Sequence, residues 1–185
     1  MGQDKGSMLI QNKPMIKHIC DTLNYQINEA IIVLNDSERI KKYEKIIDSN
    51  NYDYKIKFCE DTIKNKGPLS GILTGLGKIN NDYALILPCD SPYISKKYIK
   101  NIFRENDGNY QAIVPYHDNN NILKTTEPLH SIYNKNTINI IKNLIKTNKL
   151  SIKELIKEIN TKFVLIDNEQ IEKKEFRNLN SPKDI

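Results

Sequence analysis

Carboxylates that follow apolar strands are candidates for phosphate chemistry, and two such places stand out in this sequence. The segment Leu87-Pro88-Cys89-Asp90-Ser91-Pro92 comes directly after the apolar run Tyr83 to Leu87. In open α/β sheets, ligands bind beyond the carboxyl ends of the strands. A carboxylate there can hold a divalent cation, with phosphate oxygens and water completing the shell. Asp90 could equally cap the turn before Pro92, a common job for aspartate, and on this segment alone the two readings weigh evenly. The second place is Glu60-Asp61, after the short strand Lys55 to Cys59 and shortly before Gly67-Pro68-Leu69-Ser70-Gly71. Backbone N–H groups at a helix start, with close approach at glycine, suit an anionic or nucleotide ligand. An ordinary helix entry with proline in its first turn would look the same. Asn35 follows the run Ala30-Ile31-Ile32-Val33-Leu34, where an amide can address a base or a ribose, although alone it reads as a turn residue. Each signal is modest. Their common position at strand ends puts them on one rim of a sheet, and that convergence makes a site.

The elements that must carry this rim can be read from periodicity. Pro14 opens a helix with apolar Met15, Ile16, Ile19, Cys20 and Leu23 at helical spacing. The run Ala30 to Leu34 has the continuous apolar character of a strand covered on both faces. Asp36 or Ser37 caps a helix to about Ile47, Lys55 to Cys59 is a short strand, and Gly67-Pro68 opens a helix carrying Leu69, Ile72, Leu73 and Leu76. Tyr83 to Leu87 is a further buried strand, Ser95 caps a helix to about Phe103, and Tyr110 to Val114 is strand-like. This alternation predicts a mostly parallel sheet with right-handed crossovers. The second half is less regular. Asn119-Asn120-Asn121 marks a turn, Pro128 to Tyr133 an added antiparallel strand, and about Thr137 the start of a helix. Ser151-x-x-Glu154 reads as a capping box for another helix, and Phe163 to Ile166 as a late strand.

Composition narrows the class. The chain has 185 residues, 28% charged and 38% hydrophobic, which suits one globular domain over residues 1–185 without linkers or repeats. No apolar run approaches a bilayer span and no secretory leader pattern opens the sequence, so the expected setting is the cytoplasm, without a membrane. The net charge of +5 tolerates anionic ligands. The lysines are scattered singly among Asn and Ile, which reads as a solvated surface and gives no support to nucleic-acid binding. Cys20, Cys59 and Cys89 form an odd, widely spaced set without a C-x-x-C pair, which fits neither a zinc site nor a disulfide framework. No G-x-x-x-x-G-K-[ST] is present, so a P-loop NTPase is not indicated. Of the histidines, His18 lies on a helix and reads as structural, His117 lies in a polar loop, and His130 lies on the added strand with its role open.

The N-terminal Met1-Gly2-Gln3-Asp4-Lys5 resembles the second half of the L-A-G-G-x-S-x-R-M-G-x-D-K signature of molybdenum cofactor guanylyltransferases. Asn35, Glu60-Asp61, Gly67 to Gly71, Pro88 to Ile94, Glu127 to Tyr133 and Asn178-Leu179-Asn180-Ser181-Pro182 fall in that family's order, so the resemblance spans the chain. It implies a Rossmann-like three-layer nucleotidyltransferase α/β fold. It also implies transfer of GMP from GTP to the terminal phosphate of molybdopterin, with pyrophosphate released and Mg²⁺ required. Lys5 would match the lysine that contacts the triphosphate, Asn35 and Asp61 the nucleotide-binding positions, and Asp90 the magnesium ligand. Asn178 and Asn180 match the asparagines of the closing motif, which implies a role in binding the acceptor or, alternatively, the metal. Docking with cofactor-delivery or acceptor proteins is also implied. The alternatives are a related nucleotidyltransferase using CTP or a sugar-phosphate acceptor, and an inactive nucleotide-binding relative. Because Met1 coincides with the methionine inside the signature, the resemblance places a first strand and glycine loop ahead of this sequence. The expected consequence is an apolar slot with unpaired edges at Ile31 to Leu34 and Tyr83 to Leu87, and a Lys5 left at a frayed terminus.

Overall fold

A computed structural model describes residues 4–166 and 173–179. Asn180 lies outside these residues. The chain begins with a turn at Lys5–Ser7 and a small hairpin of β1 (Leu9–Ile10) and β2 (Lys13–Pro14). The hairpin reverses through Gln11 and Asn12, both at positive φ, the conformation that a two-residue turn needs. Then follow α1 (Met15–Leu23), β3 (Glu29–Leu34), α2 (Ser37–Ile46), β4 (Lys55–Glu60), α3 (Pro68–Leu76) and β5 (Tyr83–Leu85). The second half adds α4 (Lys96–Arg104), β6 (Ala112–Tyr116), β7 (Ile132–Asn134), α5 (Ile138–Lys146), α6 (Ile152–Glu158) and β8 (Thr161–Leu165).

Local signals account for most of these boundaries. Pro14 precedes α1, which buries Met15, Ile16, Ile19 and Cys20 along one stripe. The Asp36 carboxylate accepts from the Arg39 N–H at the start of α2, and the Ser95 hydroxyl from the Tyr98 N–H at the start of α4. At α6 only half of the expected capping box forms. The Ser151 hydroxyl accepts from the Lys153 N–H, while the Glu154 carboxylate turns outward to Lys157. The strand expected over Pro128 to Tyr133 is also shorter. Pro128–His130 is a 3-10 turn, tied by His130 N–H and Ser131 Oγ donating to the Glu127 carbonyl, and pairing starts only at Ile132. Two further strands sit displaced from their sequence readings, β6 at Ala112–Tyr116 and β8 at Thr161–Leu165.

The strands form two main pieces. β3 and β4 pair in parallel from Glu29↔Lys55 to Leu34↔Glu60. β5, β7, β6 and β8 form a four-stranded sheet in that order, parallel between β6 and β8 and antiparallel on both sides of β7. Helices cover both faces. On one, α3, α5 and α6 build a core around Leu69, Leu76, Ile141 and Leu155, onto which Ile31 of β3 and Ala84 of β5 both pack. On the other, α1 and α2 cover β3 and β4 through Ile16, Cys20, Tyr43 and Ile47, while α4 and Phe176 cover the larger sheet. The architecture is a three-layer α/β sandwich.

Two strands, β3 and β5, depart from their expected burial. Every residue of β3 is only half-buried, whereas all of β6 is buried. Both faces of β3 are covered as expected, so the exposure comes from an edge. β3 and β5 do not pair with each other, and a slot separates the two sheet pieces. Among the described residues, no helix is long and apolar enough to cross a membrane.

Candidate active site at the rim of the slot

The ends of β3 and β5 open on one cavity of about 960 Å³, whose lining includes Asp4, Asn35, Arg39, Asp90 and Asn178. Asp90 sits where the sequence places it, beyond β5 and just after the Pro88 turn. Its carboxylate is 14% exposed, sheltered yet reachable, and Oδ2 accepts from Lys5 Nζ at 2.9 Å. A cation and a carboxylate 85 residues apart in the sequence therefore meet at one point.

Lys5 is not frayed. Asp4 anchors its turn to α2: Oδ1 accepts from the Tyr43 hydroxyl at 2.7 Å, and Oδ2 from Lys42 Nζ at 2.9 Å. Lys42 Nζ also donates to Ser7 Oγ, and Ser7 Oγ donates to the Asp4 carbonyl, so the turn is held at both ends. Burial alone would raise the Asp4 carboxyl, but the hydrogen bonds from Tyr43 and Lys42 outweigh it and hold the group below its ordinary value. Tyr43 is pushed well above the usual phenol range by burial and by that same carboxylate. Sequence reasoning assigned a role to Lys5 and none to Asp4, Gly6 or Tyr43. Gly6 and Asp4 lie inside or beside the M-G-x-D-K fragment and could have been read from it; nothing marks Tyr43 as their partner.

Asp61 lies behind the start of α3 rather than in the cavity lining. Its Oδ2 accepts from Ser70 Oγ at 2.7 Å and its Oδ1 from Thr74 Oγ1 at 2.9 Å. Its own N–H donates to the Leu34 carbonyl at the end of β3. Thr74 also accepts from the Thr62 N–H, so loop 61–67 and the first turns of α3 form one hydrogen-bonded unit. Gly67, at φ +66, makes the turn into that helix and leaves open space beside it. Asn35 is exposed at the cavity mouth, near Arg39 from the first turn of α2. Asn178 packs on the Asp90 loop: its Oδ1 accepts from the Ser91 hydroxyl at 2.6 Å, while the Leu179 N–H donates to the Asp90 carbonyl at 2.9 Å.

The histidines stand apart from this rim. His130 is buried, and neither ring nitrogen has a hydrogen-bond partner. Its ring meets Phe176 edge-on, and its carbonyl accepts from Tyr98. Glu127 lies 3.6 Å from His130 Nδ1, too far for a hydrogen bond, and instead bonds His117 Nε2 at 3.0 Å. His18 Nε2 bonds the Ile10 carbonyl at 3.1 Å, as a structural histidine does.

With this geometry in view, the comparisons with known proteins decide the family. The MobA-like NTP transferase domain matches residues 1–162. A protein of Methanothermobacter thermautotrophicus named "probable molybdenum cofactor guanylyltransferase" is 32% identical over 100% of this chain and 90% of its own length. The chain belongs to the MobA-like NTP transferases. The molybdenum cofactor guanylyltransferase of Aliivibrio fischeri is 30% identical over 100% of this chain and 86% of its own. Among solved structures, molybdopterin-guanine dinucleotide biosynthesis protein A of Archaeoglobus fulgidus superimposes with a TM-score of 0.77 at 19% identity, covering 99% of this chain and 87% of that one. The 4-diphosphocytidyl-2C-methyl-D-erythritol synthase of Anaerococcus prevotii shares the fold at a TM-score of 0.65 and 13% identity, covering 99% of this chain and 90% of that one. The chain is thus a nucleotidyltransferase by family and by fold.

Proposed function

We propose that this enzyme transfers GMP from GTP to the terminal phosphate of molybdopterin, releasing pyrophosphate. The observation that carries the reading is the Lys5–Asp90 contact at the carboxyl ends of the strands, because it joins a phosphate-binding cation to a metal-binding carboxylate. The relatives' names support guanylyl as the group transferred and molybdopterin as its acceptor.

A magnesium ion fits the donors available. Among the described residues no group of three His, Cys, Asp or Glu converges on a metal-sized point. Magnesium does not need one, since it binds nucleotide sites through one or two carboxylates plus phosphate oxygens and water. Asp90 would hold it. When bound, the ion supplies charge neutralisation across the phosphate oxygens.

The chain's own residues do the rest. An acceptor phosphate oxygen forms a bond to the α-phosphorus of GTP, and the bond from that phosphorus to pyrophosphate breaks. Lys5 stabilises the charge that builds on the departing pyrophosphate. The anchoring of its turn by Asp4 fixes the ammonium beforehand, so little reorganisation is left for the reaction. Asp61 holds the loop and the α3 start that face the nucleotide, and Asn35 and Arg39 flank the mouth where base and ribose enter. Asn178 closes the Asp90 loop, and Asn180 is assigned to the acceptor side with it. The acceptor phosphate is ionised at neutral pH and needs no general base, which agrees with His130 lying away from the rim.

Nucleotide titration tests the base assignment. GTP should bind more tightly than ATP, CTP or UTP, by about fivefold to 150-fold for the roughly 1–3 kcal/mol that unmatched polar groups cost. Removal of Mg²⁺ should weaken all four. Equal affinity for GTP and CTP would shift the reading to a cytidylyl donor on the same fold.

A further inference from the structure

Segment 175–179 runs beside the loop that leads from Asp90 to α4, and three hydrogen bonds join the two. The buried Glu175 carboxylate accepts from the Ser95 N–H at 2.9 Å. Asn178 Oδ1 accepts from the Ser91 hydroxyl, and the Leu179 N–H donates to the Asp90 carbonyl. The segment therefore holds the loop at its first residue and at its last. The loop's own backbone contributes the long contact from the Ser91 N–H to the Pro88 carbonyl, at 3.4 Å. Two buried side chains fix the segment in turn. Leu179 packs with Met8, Ile10 and Met15 of the hairpin and α1. Phe176 enters a socket of three rings from three parts of the fold: Tyr98 of α4 at 5.1 Å, His130 ahead of β7 at 5.1 Å, and His117 after β6 at 5.2 Å. All three meet it edge-on, at 77° to 90°. The socket is tied together, because the Tyr98 hydroxyl donates to the His130 carbonyl and Glu127 bonds His117. Among the described residues neither nitrogen of His130 has a hydrogen-bond partner, so its ring acts here through packing on Phe176.

We propose that Phe176 is a positioning residue for Asp90: seated between Tyr98, His117 and His130, it sets segment 175–179 so that the segment holds the Asp90 carboxylate in place for the metal. The proposal rests on the reading of Asp90 as the metal-binding carboxylate. Perpendicular rings at this spacing are the favoured aromatic geometry, and three of them give the Phe176 ring a defined depth and tilt. Hydrogen bonds alone would not do so. Asn178 is exposed, and water can replace its bond to Ser91 at little net cost. Glu175 adjoins Phe176 and Asn178 lies two residues beyond it, so a shift of the ring moves both grips on the loop. The bond from Leu179 fixes the Asp90 carbonyl, and with it the plane from which the carboxylate projects toward Lys5. Groups that orient a metal ligand from behind act on metal affinity without touching the metal.

The test uses the full chain and two readouts that need no turnover. Mn²⁺ affinity is followed by electron paramagnetic resonance with GTP, ATP, CTP and UTP in turn, and amide exchange is followed without ligand. Phe176→Ala empties the socket, and Phe176→Leu keeps apolar bulk but lacks the ring, so it carries the comparison if the alanine variant does not fold. In both, Mn²⁺ should bind roughly tenfold to a hundredfold more weakly, approaching the loss in Asp90→Asn. The Ser95 and Leu179 amides should exchange about tenfold faster or more, with those of β6 unchanged. His130→Phe keeps a ring in the socket and removes the two unpartnered nitrogens, so it should match the parent in both readouts. Parent-like Mn²⁺ affinity in the Phe176 variants, with a loss in Asp90→Asn, would overturn the proposal. So would faster exchange spread evenly over the sheet, which marks a general loss of stability, or a loss in His130→Phe equal to that in Phe176→Ala. Unchanged Mn²⁺ affinity in Asp90→Asn as well would overturn the reading of Asp90 and this proposal with it, which tells the two failures apart.

Discussion

Gly6 packs against the hydroxyl of Tyr43, where a methyl group would overlap the phenol oxygen and come within 3.3 Å of the Cys89 Cβ. Tyr43 is buried and cannot swing aside freely, so Gly6→Ala would displace the hydroxyl that holds Asp4. The expected outcome is a lower Tm together with a lower kcat, because the Lys5 turn loses its anchor. Asp4 itself makes stability depend on pH in a defined direction. Its folded pKa lies below the ordinary 3.8, so the unfolded chain takes up the proton first as pH falls. The stabilisation is fully present above about pH 4 and is lost as pH drops through the lower, folded value. Asp4→Asn should therefore be less stable than the parent at neutral pH, and the gap should close in strong acid. Urea denaturation of both proteins between pH 2.5 and pH 7, values of about these limits chosen to bracket the carboxylate range, checks this. A gap independent of pH would mean that Asp4 acts through shape and not charge.

In the proposed reaction the start of α3 presents backbone to the nucleotide; Asp61 holds that start through Ser70 and Thr74. Thr74 is buried, and Thr74→Val keeps its shape while removing its hydrogen bond to the Asp61 carboxylate, which is worth about 1.5–3 kcal/mol, together with its bonds to the Thr62 N–H and hydroxyl. The variant should lose several degrees in Tm and show a raised KM for GTP with kcat little changed, since α3 positions substrate without touching the reacting atoms. A fall in kcat alone would contradict this placement. The elements themselves were largely legible in the sequence. Pro14, Asp36, Pro68 and Ser95 announce helix starts through local chemistry, and each starts one in the structure. Strand ends were less so. β5 stops at Leu85 although the apolar run continues to Leu87, because its partner β7 is short. Tertiary hydrogen bonds were not legible at all: the orientation of Asp61 toward α3, and the Tyr43–Asp4 bond, join residues whose spacing carries no signal. Glu154 had the spacing for a reciprocal cap, yet it pairs with Lys157 instead.

At the scale of the whole molecule, the fold brings the first described turn, the Asp90 loop and Asn178 to one mouth, with the slot beneath it. The alternation of strands and helices read from the sequence is the alternation observed, and the three layers are those the family resemblance implied. Asn35, Asp90 and Asn178 lie at the rim beyond the carboxyl ends of the strands, with Asp61 behind the start of α3. The slot was legible only through the family resemblance, because a gap beside a strand leaves no mark on that strand's own apolar pattern. In the proposed reaction Lys5 and Asp90 form the phosphate-handling pair of a guanylyl transfer. Pyrophosphate release, followed with Mg²⁺, GTP and molybdopterin for the parent and for Asp90→Asn, tests it most directly. The parent should release pyrophosphate only when molybdopterin is present. Asp90→Asn, nearly isosteric and folded, should be slower by roughly a hundredfold or more. Release by the variant at the parent's rate, or release by the parent that does not depend on molybdopterin, would contradict it.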